Sequence, residues 1–144
     1  MIVIGSDHGG YELKKHIIKY LEDNNIQYND IGCYSEESVD YPDIAQKLCA
    51  EITAGNAERG ILICGTGIGI SIAANKIDGI RAAVCSDEYS ARMCRRHNNA
   101  NVLCMGGRVV GSELAISIAD VYLNEKFEGG RHQKRIDKIH ALEK

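Results

Sequence analysis

A thiol set directly ahead of a glycine run is the most chemically suggestive feature of this chain: Cys64-Gly65-Thr66-Gly67-Ile68-Gly69. Glycines in such a turn leave backbone N–H groups unobstructed, and a helix beginning there adds positive potential at its first turn. The result is a cradle for an anion, either a phosphate or a negative charge that develops during a reaction. A cysteine beside it has two readings. One is a buried strand-end thiol acting as a small hydrophobe. The other is a nucleophile or base, because nearby N–H dipoles favour the thiolate.

Three further clusters carry reactive or charged side chains. Ser6-Asp7-His8-Gly9-Gly10 puts a carboxylate and an imidazole after the first apolar run, although Asp7 there could simply cap a helix. His97-Asn98-Asn99 closes a helical stretch, where a histidine can serve as a plain partner for the helix dipole. Gly129-Gly130-Arg131-His132-Gln133-Lys134-Arg135 opens the last helical stretch. Arg131 and Arg135 are four apart, so on a helix they share a face and can close on one phosphate. Arg108, after Gly106-Gly107, could join them. Arg92, Arg95 and Arg96 read as a solvated basic helix face, with no aromatic interleaving to suggest nucleic acid.

The glycine run has competing interpretations. Asp87 lies about twenty residues past Gly67, as in a dinucleotide site. The spacing is G-x-G-x-G rather than G-x-G-x-x-G, however, and the loop follows the third strand. No Gly-Lys-Ser/Thr follows, which excludes a P-loop. A non-enzymatic nucleotide- or phosphate-binding module remains open on the residues alone, as does a cysteine hydrolase or transferase with Cys64 as nucleophile.

The elements that must position these residues follow from periodicity. Short β-branched runs at 2–6, 26–31, 60–65, 80–86 and 102–106 read as strands. Helices are expected near 10–25, 42–54, 68–77, 88–97, 112–124 and 132–142. Pro42 suits a helix start, with Asp40 as its cap. Ile61-Leu62-Ile63-Cys64 is apolar without alternation, as in a strand covered on both faces. The spacing therefore predicts an α/β fold: a Rossmann-like three-layer domain over residues 1–144, with a five-stranded parallel sheet and a C-terminal helix. Chemistry should gather at the carboxyl ends of the strands.

Composition bounds the rest. The 144 residues are 44% apolar with a net charge of −3, enough for one core and no general attraction to nucleic acid or anionic membrane. No apolar run approaches the roughly 18 residues of a membrane span, and nothing marks a signal peptide, so a cytoplasmic setting is expected. The six cysteines form no CxxC pair, which predicts reduced, mostly structural thiols and no zinc site.

Taken together, these residues resemble the type B ribose-5-phosphate isomerase family, which also includes allose- and galactose-6-phosphate isomerases. The resemblance runs through Gly5-Ser6-Asp7-His8-Gly9-Gly10, Asp40-Tyr41-Pro42, Cys64 to Lys76, His97-Asn98, Gly106-Gly107-Arg108-Val109-Val110-Gly111 and Glu128-Gly129-Gly130-Arg131-His132. It implies interconversion of D-ribose 5-phosphate and D-ribulose 5-phosphate, a step of the pentose phosphate pathway, with no metal and no organic cofactor. It also implies a homodimer with active sites at the interface, a homotetramer being the alternative. Carried over by position, Cys64 is the base, and Gly65, Thr66, Gly67, Ile68 and Gly69 surround the enediolate, with Thr66 near the reacting oxygens. His97 assists ring opening. Asp7, His8 and Asn98 bind substrate, and Arg108, Arg131 and Arg135 engage its phosphate. One branch of the family uses a glutamate just after the glycine loop; Ile70 stands there in this chain, which places it in the cysteine-using branch.

Overall fold

The computed structural model describes residues 1–143. Five strands, β1 (Ile2–Ser6), β2 (Tyr28–Asp30), β3 (Arg59–Cys64), β4 (Ala82–Val84) and β5 (Val102–Gly106), alternate with helices. These are α1 (Tyr11–Asp23), α2 (Tyr41–Thr53), α3 (Ile68–Asn75), α4 (Glu88–Arg96), α5 (Ser112–Asn124) and α6 (Arg131–His140), with a 3-10 turn at His8–Gly10. The strands pair in parallel in the order β2-β1-β3-β5-β4. The two edge strands have three residues each, the short edges expected where unpaired strand polar groups must be limited. No helix among the described residues is long and apolar enough to cross a membrane.

The three-layer α/β prediction holds, and the apolar strands divide cleanly between two cores. Ile4, Ile61, Ile63, Leu103 and Met105 pack with α1, α4 and α5 residues such as Leu13, Ala91 and Ile118. Their strand neighbours Val3, Leu62, Cys64, Val102 and Cys104 face the other way, against Ile44, Leu48, Ile70 and Ala74 of α2 and α3. Successive strand side chains alternate faces, so a strand covered on both sides must be apolar throughout. The helices taking the chain one way along the sheet share one face, and those returning it share the other, as a single crossover hand requires.

Local start signals act differently from expectation at α2. Asp40 occupies the capping position, but its side chain makes no capping bond; Pro42 in the first turn supplies the preset φ. The arginines of α4 also depart from a solvated face. Arg95 is 5% exposed and lies over the Tyr122 ring, donating to Asn99 Oδ1 and the Ala100 carbonyl. Arg92 and Arg96 both pair with Glu125, and Arg96 above all holds that carboxyl below its ordinary range. Helical periodicity placed Arg95 among charges, yet the packing of α4 on α5 turns it inward.

Lys14 links α1 to the segment after β2. It is 1% exposed, and its ammonium donates to Asp30 Oδ1 at 2.7 Å and to the carbonyl of Cys33. Removing one partner of a buried pair leaves the other uncompensated, at a cost of about 3–5 kcal/mol when both are fully buried. Asp30 keeps partial access to water. Lys14→Met is therefore expected to lower unfolding free energy by about 2–3 kcal/mol, read from the urea midpoint. An unchanged midpoint would show that the pair contributes nothing.

Candidate active site

The carboxyl ends of β1, β3 and β5 are level with one another. Ser6 is in register with Ile63, and Cys64 with Gly106. The chain leaves β1 toward β2 on one side and reaches β3 on the other, so the crevice between β1 and β3 is the topological switch point, where open α/β sheets bind ligands. Cys64 and Gly65 open one wall of it, and Asp7, His8 and Gly9 the other. A side chain on Gly9 would lie 3.1 Å from the Gly65 nitrogen, which shows how close the two turns come.

Cys64 is 4% exposed, and its sulfur accepts the Gly67 N–H at 3.1 Å. Gly67 adopts φ +82, and a Cβ there would sit 2.8 Å from the Met105 carbonyl carbon, so only glycine lets the loop turn into α3 this close to β5. The Thr66 hydroxyl accepts from the Ile68 N–H at 3.2 Å. Gly69 lies in the first turn of α3, whose N–H groups have no intrahelical acceptor. Within the loop the Gly67 N–H is committed to the thiol and the Ile68 N–H to the Thr66 hydroxyl.

The remaining cysteines differ from Cys64 in setting. All six are free and buried. Burial pushes the Cys49 thiol up to about 12 and Cys104 well above its ordinary value. The neighbouring Cys94 above all raises Cys85, and Cys85 lowers Cys94, while the two thiols themselves donate to the Ala83 and Ala91 carbonyls. None of these four flanks the glycine loop.

Asp7 and His8 are held by different means. Asp7 is buried, and one carboxylate oxygen accepts from the N–H groups of Gly9 and Gly10, so the capping role and a place in the crevice coexist. His8 Nδ1 accepts the Val39 N–H at 3.2 Å, which leaves Nε2 to carry the proton in the neutral ring. Arg108 completes the rim. Its backbone N–H donates to the Gly65 carbonyl, and its guanidinium lies 3.3 Å from where a Gly65 side chain would begin. Tyr41, at the start of α2, is a neighbour of the loop that no local sequence signal marks as a site residue. A Cβ at Gly69 would fall 2.6 Å from its ring, so this half-exposed phenol covers the glycine loop. Its adjacency to Pro42 was visible, but its reach to Gly69, 28 positions on, was not.

His97, Asn98, Arg131 and Arg135 stand elsewhere. His97 follows α4, just before β5, and its ring stacks on His132 of α6 with centroids 4.2 Å apart. Arg131 and Arg135 are exposed on α6, and Asn98 is exposed beside a hollow of about 830 Å³ lined also by Asn75, Arg81, Ala83 and Leu142. All of this lies at the amino edge of the sheet. The five residues of β5 separate it from Cys64, a span of roughly 16 Å at about 3.3 Å per residue. Within one chain Arg108 consequently does not meet Arg131 and Arg135, because strand and returning helix carry them to opposite edges.

The nucleotide alternative loses its main support. Both Asp87 oxygens are occupied by Ser90, through its N–H and hydroxyl, as the cap of α4. Moreover β5, not β4, lies next to β3, so Asp87 does not end the strand beside the glycine loop.

Comparison with known proteins agrees with this architecture. A family model described as Ribose/Galactose Isomerase matches residues 2–139. Ribose-5-phosphate isomerase B of Escherichia coli (strain K12) is 50% identical over 142 residues, covering 99% of this chain and 95% of that protein. Ribose-5-P isomerase B of Listeria innocua is 46% identical over 142 residues, covering 99% and 96%. The structure of Clostridium thermocellum ribose-5-phosphate isomerase B superposes with a TM-score of 0.97 at 53% identity, covering 98% of this chain and 95% of that one. With the fold, the loop and the relatives in agreement, the chain belongs to the ribose/galactose isomerase family.

Proposed function

We propose that this protein, as one domain over residues 1–144, is an aldose–ketose isomerase interconverting D-ribose 5-phosphate and D-ribulose 5-phosphate through a cis-enediolate. The observation that carries this is the convergence of Cys64, its glycine loop, the Asp7–His8 turn and Arg108 at one crevice of a sugar-isomerase fold. The Cys64 thiolate takes the proton from C2 of the open-chain aldose. The C2–H electron pair becomes the C1–C2 double bond, and the carbonyl electrons move onto O1. The O2 proton passes to O1, C2 becomes the carbonyl, and Cys64 returns its proton to C1. Thr66 and the loop N–H groups not already bonded to the Cys64 sulfur or the Thr66 hydroxyl face the developing oxyanion, a setting in which one donor contributes about 10²–10³-fold. No step calls for a metal or an organic cofactor.

The amino-edge residues enter this scheme through a second copy of the chain. Ile68 and Ile72 are 55% and 58% exposed one turn apart on α3, and Val84 of the edge strand is 46% exposed near Gly67. This apolar strip runs from the glycine loop toward the hollow beside Asn98, where Ile139 and Leu142 are also exposed. A two-fold partner laid along it buries the strip and brings its own amino edge to the carboxyl edge of the first chain. In the resulting homodimer, His97 of the second copy protonates the ring oxygen, Asn98 holds hydroxyls, and Arg131 and Arg135 meet Arg108 around the phosphate. The setting is the cytoplasm, where six free thiols stay reduced.

A coupled assay over ribose 5-phosphate, allose 6-phosphate and galactose 6-phosphate, with and without EDTA, tests the activity. Turnover is expected to be fastest on ribose 5-phosphate and indifferent to the chelator. Strong inhibition by EDTA, or a covalent adduct on Cys64 seen by intact mass, would refute this mechanism.

A further inference from the structure

His97 is not a free side chain at a helix end. Its ring lies face to face with that of His132, the planes 12° apart. Glu128 Oε1 stands 3.4 Å from His132 Nε2 and 3.8 Å from His97 Nε2. His132 is buried, whereas His97 is partly open. The segment carrying Glu128 is fastened to the last turn of α4: its N–H donates to the Arg96 carbonyl at 3.0 Å, and Glu125 receives Arg92 and Arg96.

The three ligating atoms lie within 4.8 Å of one another, a spacing a metal ion could bridge. The ring planes argue against it. An imidazole binds a metal in its own plane, and two planes 12° apart do not intersect near the nitrogens, so no ion lies in the plane of both rings. What the stack does achieve is restraint. A histidine at a helix terminus otherwise samples several rotamers, whereas one covered by a buried ring keeps a single orientation.

We infer that Glu128 and His132 are positioning residues for His97: the carboxylate fixes the buried His132 ring, and that ring sets the orientation of His97 as it meets the substrate's ring oxygen. This rests on the ring-opening role proposed for His97. The distinction between ring opening and enolisation supplies the test. Ribulose 5-phosphate has its 5-hydroxyl blocked and stays acyclic, so exchange of its C1 proton with D2O needs Cys64 but no ring chemistry.

Glu128→Gln, His132→Phe and His132→Ala are made alongside His97→Asn. Each is assayed for ribose 5-phosphate isomerisation and, by NMR, for deuterium entry at C1 of ribulose 5-phosphate. The expected result for the Glu128 and His132 variants is a fall of about 10–100-fold in isomerisation, the range for losing a group that orients a functional side chain, and for His97→Asn a larger one, with exchange within twofold of the parent throughout. His132→Phe, which keeps a stacking ring but loses the carboxylate contact, is expected to fall less than His132→Ala. A parallel fall of isomerisation and exchange would make the cluster merely structural and overturn the inference. Unchanged isomerisation in Glu128→Gln would overturn it too, and this half-exposed site keeps the test valid if the His132 variants fail to fold. If His97→Asn itself leaves isomerisation intact, the role of His97 falls and not only its positioning.

Discussion

Cys64→Ala is expected to lower turnover of ribose 5-phosphate by about 10⁴-fold, the upper range for loss of a positioned base. The size follows from the surroundings of the sulfur. Among the described residues the crevice offers no other group at the Cys64 position, because the next side chain that could replace it, Ile70, is apolar and fully buried in the same core. Neither Asp7, bonded to two backbone N–H groups, nor His8, held through Nδ1 by Val39, is placed on the β3 side of the crevice. The variant should still fold, since removing one buried sulfur leaves a small space. Binding of the sugar phosphate should survive, because Arg108 and the glycine backbone are untouched. Stopped-assay kinetics paired with calorimetric binding of a sugar phosphate give the check. Cys64→Ser, which preserves the acceptor for the Gly67 N–H, should be inactive as well, since a hydroxyl is a far weaker acid than a thiol. Turnover close to the parent in either variant would remove Cys64 from the mechanism.

Mixing two dead variants should restore activity. Cys64→Ala and His97→Asn disable opposite edges of the sheet, which β5 keeps roughly 16 Å apart within one chain. If each site is assembled from the carboxyl edge of one copy and the amino edge of another, a mixed dimer contains one site with both residues intact. Random pairing makes half of the dimers mixed, and half of their sites are whole, so co-expression should yield about one quarter of parental activity. Each variant alone should give nearly none. Absence of rescue in a mixture shown by native mass spectrometry to contain mixed dimers would mean that both edges do not serve one site.

Parts of the site were legible because they are contiguous. Cys64 and the loop through Gly69 are adjacent in sequence, and their meaning depends only on a strand ending where a helix begins. Asp7 and His8 were legible for the same reason after β1. The dual role of Asp7 was not, because capping and facing a crevice use the same residue type at the same place. The sequence pattern alone puts Arg95 among solvated charges, since a helical repeat marks which residues share a face but not which neighbour covers it. Tyr41 escaped because its contact with Gly69 bridges two helices, α2 and α3, that only packing brings together.

The sequence by itself determined the alternation of strands and helices, the double-sided burial of the sheet and the thiol beside its glycine loop. These are local: side-chain periodicity and chain adjacency encode them directly. Tertiary structure alone decided that β5 lies between β3 and β4, which core each strand residue joins, and that His97, Arg131 and Arg135 stand at the edge opposite Cys64. Such choices depend on which distant segments pair, and parallel crossovers set that order through contacts between elements far apart in the chain. No single window of residues carries that information.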